Sequence, residues 1–316
     1  MSDLPIAGSK RTSATVQNSR TPLSTNPLKQ RGFNLVEIAI ALVILALALG
    51  GVISAFAPQL ANRGYSTTQK QLIEITEAVN GFAVLNGRLP CPAQPGSLGQ
   101  SQWCTNASPA ACGAPITAPT APPIHGRCSN NGQGYVPAVT LGLTGTTVPT
   151  VPATPAVGLV VDAWGSPLRF AVSQQTATFT TTPLTACATL PGCNVLTANS
   201  FLREAKTGTP PSLTTAANNT PLRVCSATTA SQTTCIVNQE LARPAFLVFS
   251  SGANGKTTGV VDEVKNINKV AAIPPPSAVG TPTDLVYISR TKNDTAGNEF
   301  DDLFYWMSVS GLIGKF

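Results

Sequence analysis

Hydrophobic positions fall into three regimes along the chain. From Ile38 to Ala57 there are twenty residues without a charge. As a helix this run rises about 30 Å, the thickness of a bilayer core. Pro58 follows and is expected to kink or end that half, having no N–H to donate. Beyond it Leu72, Ile75, Val79, Phe82 and Ala83 recur at helical spacing on one face, with Lys70, Glu74 and Glu77 on others. Asn86-Gly87 predicts the stop, and Pro90 and Pro92 forbid continuation. The third regime is short apolar runs between turn residues. It predicts strands at Ala177–Thr181, Leu222–Ser226, Cys235–Val237, Ala245–Ser250, Leu285–Ser289 and Leu303–Val309. A hairpin is expected over Val157–Val172, around Asp162-Ala163-Trp164-Gly165-Ser166-Pro167, with Trp164 in the core and Asp162 a turn acid.

The predicted fold is therefore α+β. A long N-terminal helix, with a membrane half and an amphipathic half, packs on an antiparallel sheet head with disulfide-pinned loops. The expected segments are 1–32 as a leader, 33–57 as the apolar helix, 58–89 as the amphipathic helix and 90–316 as the head.

Composition sharpens this picture. Only 11 % of the 316 residues are charged, and the net charge is +6. Lys10, Arg11, Arg20, Lys29 and Arg31 stand against Asp3 alone in the first 32 residues, leaving too little positive charge elsewhere for a nucleic-acid footprint. A basic head of this kind stays on the cytoplasmic side of a membrane. All eight cysteines follow the apolar run, which points to disulfides in an oxidising compartment. No CxxC spacing occurs and His125 is the sole histidine, so a zinc site is not expected. Cys187 and Cys193 flank a Pro-Gly turn, and Cys225 and Cys235 bracket a short hairpin, so both pairs are disulfide candidates. Cys91, Cys104, Cys112 and Cys128 lie in or beside an irregular Pro/Ala/Gly-rich stretch over 90–128.

Two plain readings of the apolar run leave Glu37 unexplained. A secretory signal would use Ala55-Phe56-Ala57 as a cleavage site, but its apolar region is too long, and Pro58 follows the cut. A simple anchor gives no reason for a carboxylate, which costs about 2.5–3.5 kcal/mol at the bilayer centre.

Arg31-Gly32-Phe33-Asn34-Leu35-Val36-Glu37, followed by the apolar run, resembles the processing site of type IV prepilins and type II secretion pseudopilins. The resemblance implies cleavage between Gly32 and Phe33 by a membrane prepilin peptidase, and methylation of the new Phe33 amine. It implies that Glu37 pairs with the Phe33 amine of a neighbouring subunit. Implied partners are other pilins or pseudopilins in a filament and an inner-membrane assembly platform. The implied location is the inner membrane, single-pass, with a periplasmic head that later joins a filament. The head is large for a dense shaft, which points to a minor, priming or tip subunit. The alternative is a filament-displayed adhesin or ligand-binding head.

Two more segments bear on chemistry. Asp162–Pro167 is similar to the DPWGNPY-type turn of the major pseudopilin, and Ser251-Gly252-Ala253-Asn254-Gly255 to the opening of its calcium loop. Asn254 stands where the family places its first loop acid. No cofactor is expected apart from Ca2+, for which Asp262, Asp284, Asp301 and Asp302 are the chosen ligands, with Glu263 and Asp294 as further acids. A P-loop over Ser251–Thr257 fails, because Ser250 occupies a required glycine position. With His125 alone in a Pro-rich loop and no nucleophile elbow, the chain is not expected to be an enzyme.

Overall fold

The computed structural model describes residues 34–105, 115–117, 126–148, 156–173, 222–227, 235–255, 261–267, 285–295 and 297–316. The expected positions Gly32, Phe33, Cys112, His125, Ala177–Thr181, Cys187, Cys193 and Asp284 lie outside them. The chain divides into two compact units, Met1–Phe56 and Ala57–Phe316.

Helix α1 (Leu35–Asn86) crosses that division, and Pro58 does not end its helical assignment. The expectation of a membrane half is corrected here. Among the described residues no helix is long and apolar enough to cross a membrane. The first part of α1 with described side chains covers residues 35–47. The α+β class, the antiparallel sheet and disulfides in the head all stand.

In the second unit α1 buries the predicted stripe. Leu72, Ile75, Val79 and Ala83 are all at 2 % exposure or less. Phe82 stays half-buried under the Arg88 guanidinium, 5.3 Å from its ring centre. The helix stops as expected: Gly87 takes φ 68°, and its N–H donates to the Ala83 carbonyl at 2.7 Å.

The head contains strands β1 (Gln102–Cys104), β2 (Pro115–Thr117), β3 (Gln133–Tyr135), β4 (Thr146–Val148), β5 (Ala156–Leu159), β6 (Arg169–Val172), β7 (Arg223–Cys225), β8 (Glu240–Ala242), β9 (Pro244–Ser250), β10 (Val286–Ile288) and β11 (Leu303–Ser308). Two short helices follow β9 and β11: α2 (Val261–Ile267) and α3 (Val309–Ile313). An antiparallel sheet in the order β11-β9-β6-β3 carries the core, and a three-stranded sheet runs β10-β7-β8. The pair β10–β7 is parallel, so the head is not antiparallel throughout. Strand β9 is buried at every position because both faces of its sheet are covered. Phe170, Val172, Phe246 and Val248 pack with the α1 stripe, while Ala171, Leu247 and Phe249 pack with Leu222, Val224 and Tyr287 of the second sheet.

Two local expectations shift. The predicted strand Cys235–Val237 is irregular and leads into a turn at Val237-Asn238, and the pairing strand is β8, which joins β7 beside the Cys225–Cys235 disulfide. Trp164 is half-buried, outside the core. It lies edge-on to Tyr65, 5.0 Å between ring centres, over Gly64, where a Cβ would come within 3.1 Å of the indole. Asp162 is a turn acid, as expected. Its Oδ1 accepts from the N–H groups of Trp164 (2.9 Å) and Ser166 (2.8 Å), and its Oδ2 from the Ser250 hydroxyl at 2.6 Å. The two flanking runs form only a narrow neck, because β5 pairs with β4 while β6 pairs with β3 and β9.

Cys91 and Cys128 are bonded and pin the ends of the irregular stretch. Among the described residues no cysteine is free. Closing a 37-residue separation restricts the unfolded chain by about 3–4 kcal/mol on the chain-entropy account. A Cys91→Ser/Cys128→Ser head is expected to lose stability of that order, read from the midpoint of urea unfolding at unchanged slope.

Candidate functional site

The site lies where the turn after β9, helix α2 and the start of β11 meet. Gly252 turns the chain at φ 65°, and a Cβ there would stand 2.1 Å from Asp301 Oδ1, so the backbone closes on that carboxylate only because the residue is glycine. The Ala253 and Asn254 N–H groups then donate to Asp301 Oδ2 at 2.8 and 3.2 Å.

Helix α2 brings in Glu263, fully buried, which accepts from the Asp301 N–H (2.9 Å) and from the Asn254 side-chain amide (3.1 and 3.3 Å). Asn266, three residues further along the helix, donates to Asp302 Oδ2 at 2.7 Å and holds β10 through the Ile288 carbonyl and N–H. Arg169 on β6 is buried, donates to the Ile267 carbonyl at 2.8 Å, and opposes part of the negative charge on Asp302.

Carboxylate oxygens of Glu263, Asp301 and Asp302 all lie within 4.8 Å of one another. Burial dominates the electrostatics of Asp301 and Asp302. It pushes Asp301 up to about 6, against the pull of the Asn254 and Ala253 N–H groups and with the push of Glu263. Asp302 is raised well above the usual carboxylate range, first by burial, with only Asn266 and Arg169 acting to lower it. One oxygen on each, Asp301 Oδ1 and Asp302 Oδ1, is buried without a hydrogen-bond partner.

Orphaned carboxylate oxygens are expensive in a dry site. Gathered with a third carboxylate, they form an all-oxygen donor set of the kind that hard cations such as Ca2+ take. The residues therefore fit a hard divalent cation, with Glu263, Asp301 and Asp302 as its charged ligands.

Of the chosen calcium ligands, the structure brings Asp301 and Asp302 together. Asp262 is turned instead to Arg290, 3.1 Å away. Burial raises Asp262 while Arg290 pulls it back. Asp294 is exposed and paired with Lys292 at 2.6 Å. Asn266 and Arg169 were not legible as site residues, because neither carries a motif and both arrive from distant segments. Glu37 sits exposed in the first turn of α1, its N–H donating to the Asn34 carbonyl at 2.9 Å. A carboxylate there complements the helix dipole.

No family model, curated protein or solved structure matches this chain.

Proposed function

We propose that the chain is a pilin-like structural subunit, a minor, priming or tip member of a type II secretion pseudopilus or type IV pilus. One observation carries this reading. From Leu35 to Leu47 every residue is exposed, and nine of them are large and apolar, with Leu35 at 84 %. A surface that apolar marks a contact with other protein or lipid. It begins within the prepilin-like stretch Arg31–Glu37.

In this reading prepilin peptidase cuts between Gly32 and Phe33, and the new amine is methylated. The subunit is recruited at the inner membrane with its head in the periplasm, where its disulfides persist. It then packs residues 35–47 against neighbouring subunits. Glu37 pairs with the Phe33 amine of the next subunit. A pair buried in such packing adds little net stability, but an unpaired partner costs about 3–5 kcal/mol, so it rejects misregister. The head performs no turnover, and a cation at Glu263, Asp301 and Asp302 holds its β9–α2–β11 corner closed.

Glu37→Ala tests the assembly step. The variant is expected to be cleaved normally yet to appear in sheared filaments at least about tenfold below wild type, since registration is lost while the apolar surface remains. Wild-type incorporation, measured by immunoblot of sheared and cellular fractions, would remove the assembly role from Glu37.

A further inference from the structure

Sheet edges are templates for pairing with another chain unless guarded. Three of the four edges of the two larger sheets are guarded. Ala93 closes β3, exchanging hydrogen bonds with Tyr135 at 2.9 and 2.8 Å. The Asn266 amide closes β10 at Ile288, at 2.7 and 2.8 Å. Strand β8 is three residues long and carries Glu240, ion-paired with Arg223 and Arg243.

Strand β11 is different. Its six residues, LFYWMS, include no charge, proline or glycine. It pairs with β9 on one side, and among the described residues nothing hydrogen-bonds its other edge. Tyr305 is 40 % exposed, and Phe304 and Trp306 are half-buried.

We infer that β11 pairs antiparallel with β11 of a second copy of this chain, joining two four-stranded sheets across a two-fold axis. The occupant follows from the edges themselves. Among the described residues the only open strand edge of the two larger sheets able to receive β11 is another β11. Self-pairing about Tyr305 sets no like charges opposite one another and places Tyr305 opposite Tyr305 and Phe304 opposite Trp306, an aromatic cross-strand arrangement. An isologous contact also closes on itself, consuming both open edges in one step. This contact is separate from the N-terminal packing surface and goes beyond the filament reading.

The test uses the full chain in detergent micelles, with mass read by sedimentation. Residues 35–47 are the same in every variant, so changes at Tyr305 report β11. Wild type is expected to be dimeric. Tyr305→Lys and Tyr305→Glu should each halve the mass through like-charge repulsion at the axis, and an equimolar mixture should regain it. A wild type of unit mass, single variants of unchanged mass, or a mixture that stays at half mass overturns the pairing. So does a wild-type chain that stays single but takes up an extended strand of another protein. Hydrogen exchange on the wild type decides independently of any variant: β11 amides should gain protection at least about tenfold as concentration rises through the dimerisation range, and concentration-independent exchange overturns it.

Discussion

A chain carrying Gly32→Leu is expected to keep its leader and run as one slower band, with none of it entering filaments. A protease that cuts directly after a residue must hold that backbone extended against its catalytic groups. Glycine alone brings no Cβ to the approach. On the proposed reading, retention of residues 1–32 leaves Lys10, Arg11, Arg20, Lys29 and Arg31 attached ahead of the apolar surface, positive charge that resists transfer across a membrane. On that reading it also withholds the Phe33 amine, the proposed partner of Glu37. The effect should exceed that of Glu37→Ala, because Gly32→Leu removes both the cut and the pair. Immunoblots against the head, with and without coexpressed prepilin peptidase, read the outcome. A faster, cleaved band from Gly32→Leu would end the processing reading.

The second large effect is expected at the acidic corner. Saturation with Ca2+ at a hundred times its Kd stabilises a folded protein by about 2.7 kcal/mol. For a head of this size that is a rise in Tm of roughly 5–10 °C. Asp302→Asn should abolish the rise, since it removes a charged ligand while keeping the shape. Without the cation, pH should act in a defined direction. Burial raises Asp301 to about 6 and holds Asp302 well above the usual carboxylate range. A carboxyl raised in the folded state binds more protons there than in the unfolded chain, so its contribution is present at low pH. For Asp301 that contribution is lost as pH rises from about 4 to about 6, and Asp302, raised in the same direction, adds to the loss as pH rises. The cation-free head should thus melt lower at pH 7 than at pH 5, and Ca2+ should narrow the difference. Melting curves indifferent to Ca2+ and EDTA at pH 7 would exclude the site.

The parts of this molecule written in local patterns were legible from sequence. The stripe Leu72–Ala83 has helical spacing and one buried face. Asp162 precedes a glycine turn that needs an acceptor for its N–H groups. Cys225 and Cys235 are close enough in the chain to meet across one hairpin. Strands β9, β10 and β11 are short apolar runs in turn-rich surroundings. The acidic corner was only half legible. Asp301 and Asp302 announce themselves as a pair, but Glu263, Asn266 and Arg169 join them through tertiary folding, and no spacing records that. Trp164 was misplaced because a large aromatic reads as core, whereas Gly64 offers it a shelf on the side of α1. The membrane half was inferred from hydropathy over twenty residues, a measure of composition that does not establish a spanning helix.

Asn266 has two duties in one amide group. The same side chain that steadies Asp302 also blocks the open edge of β10. A head whose carboxylates repel one another would strain that amide and bare a fully buried, apolar strand to the solvent. Solubility and cation supply are therefore linked: stripped of divalent ions during purification, the protein should clump before it unfolds.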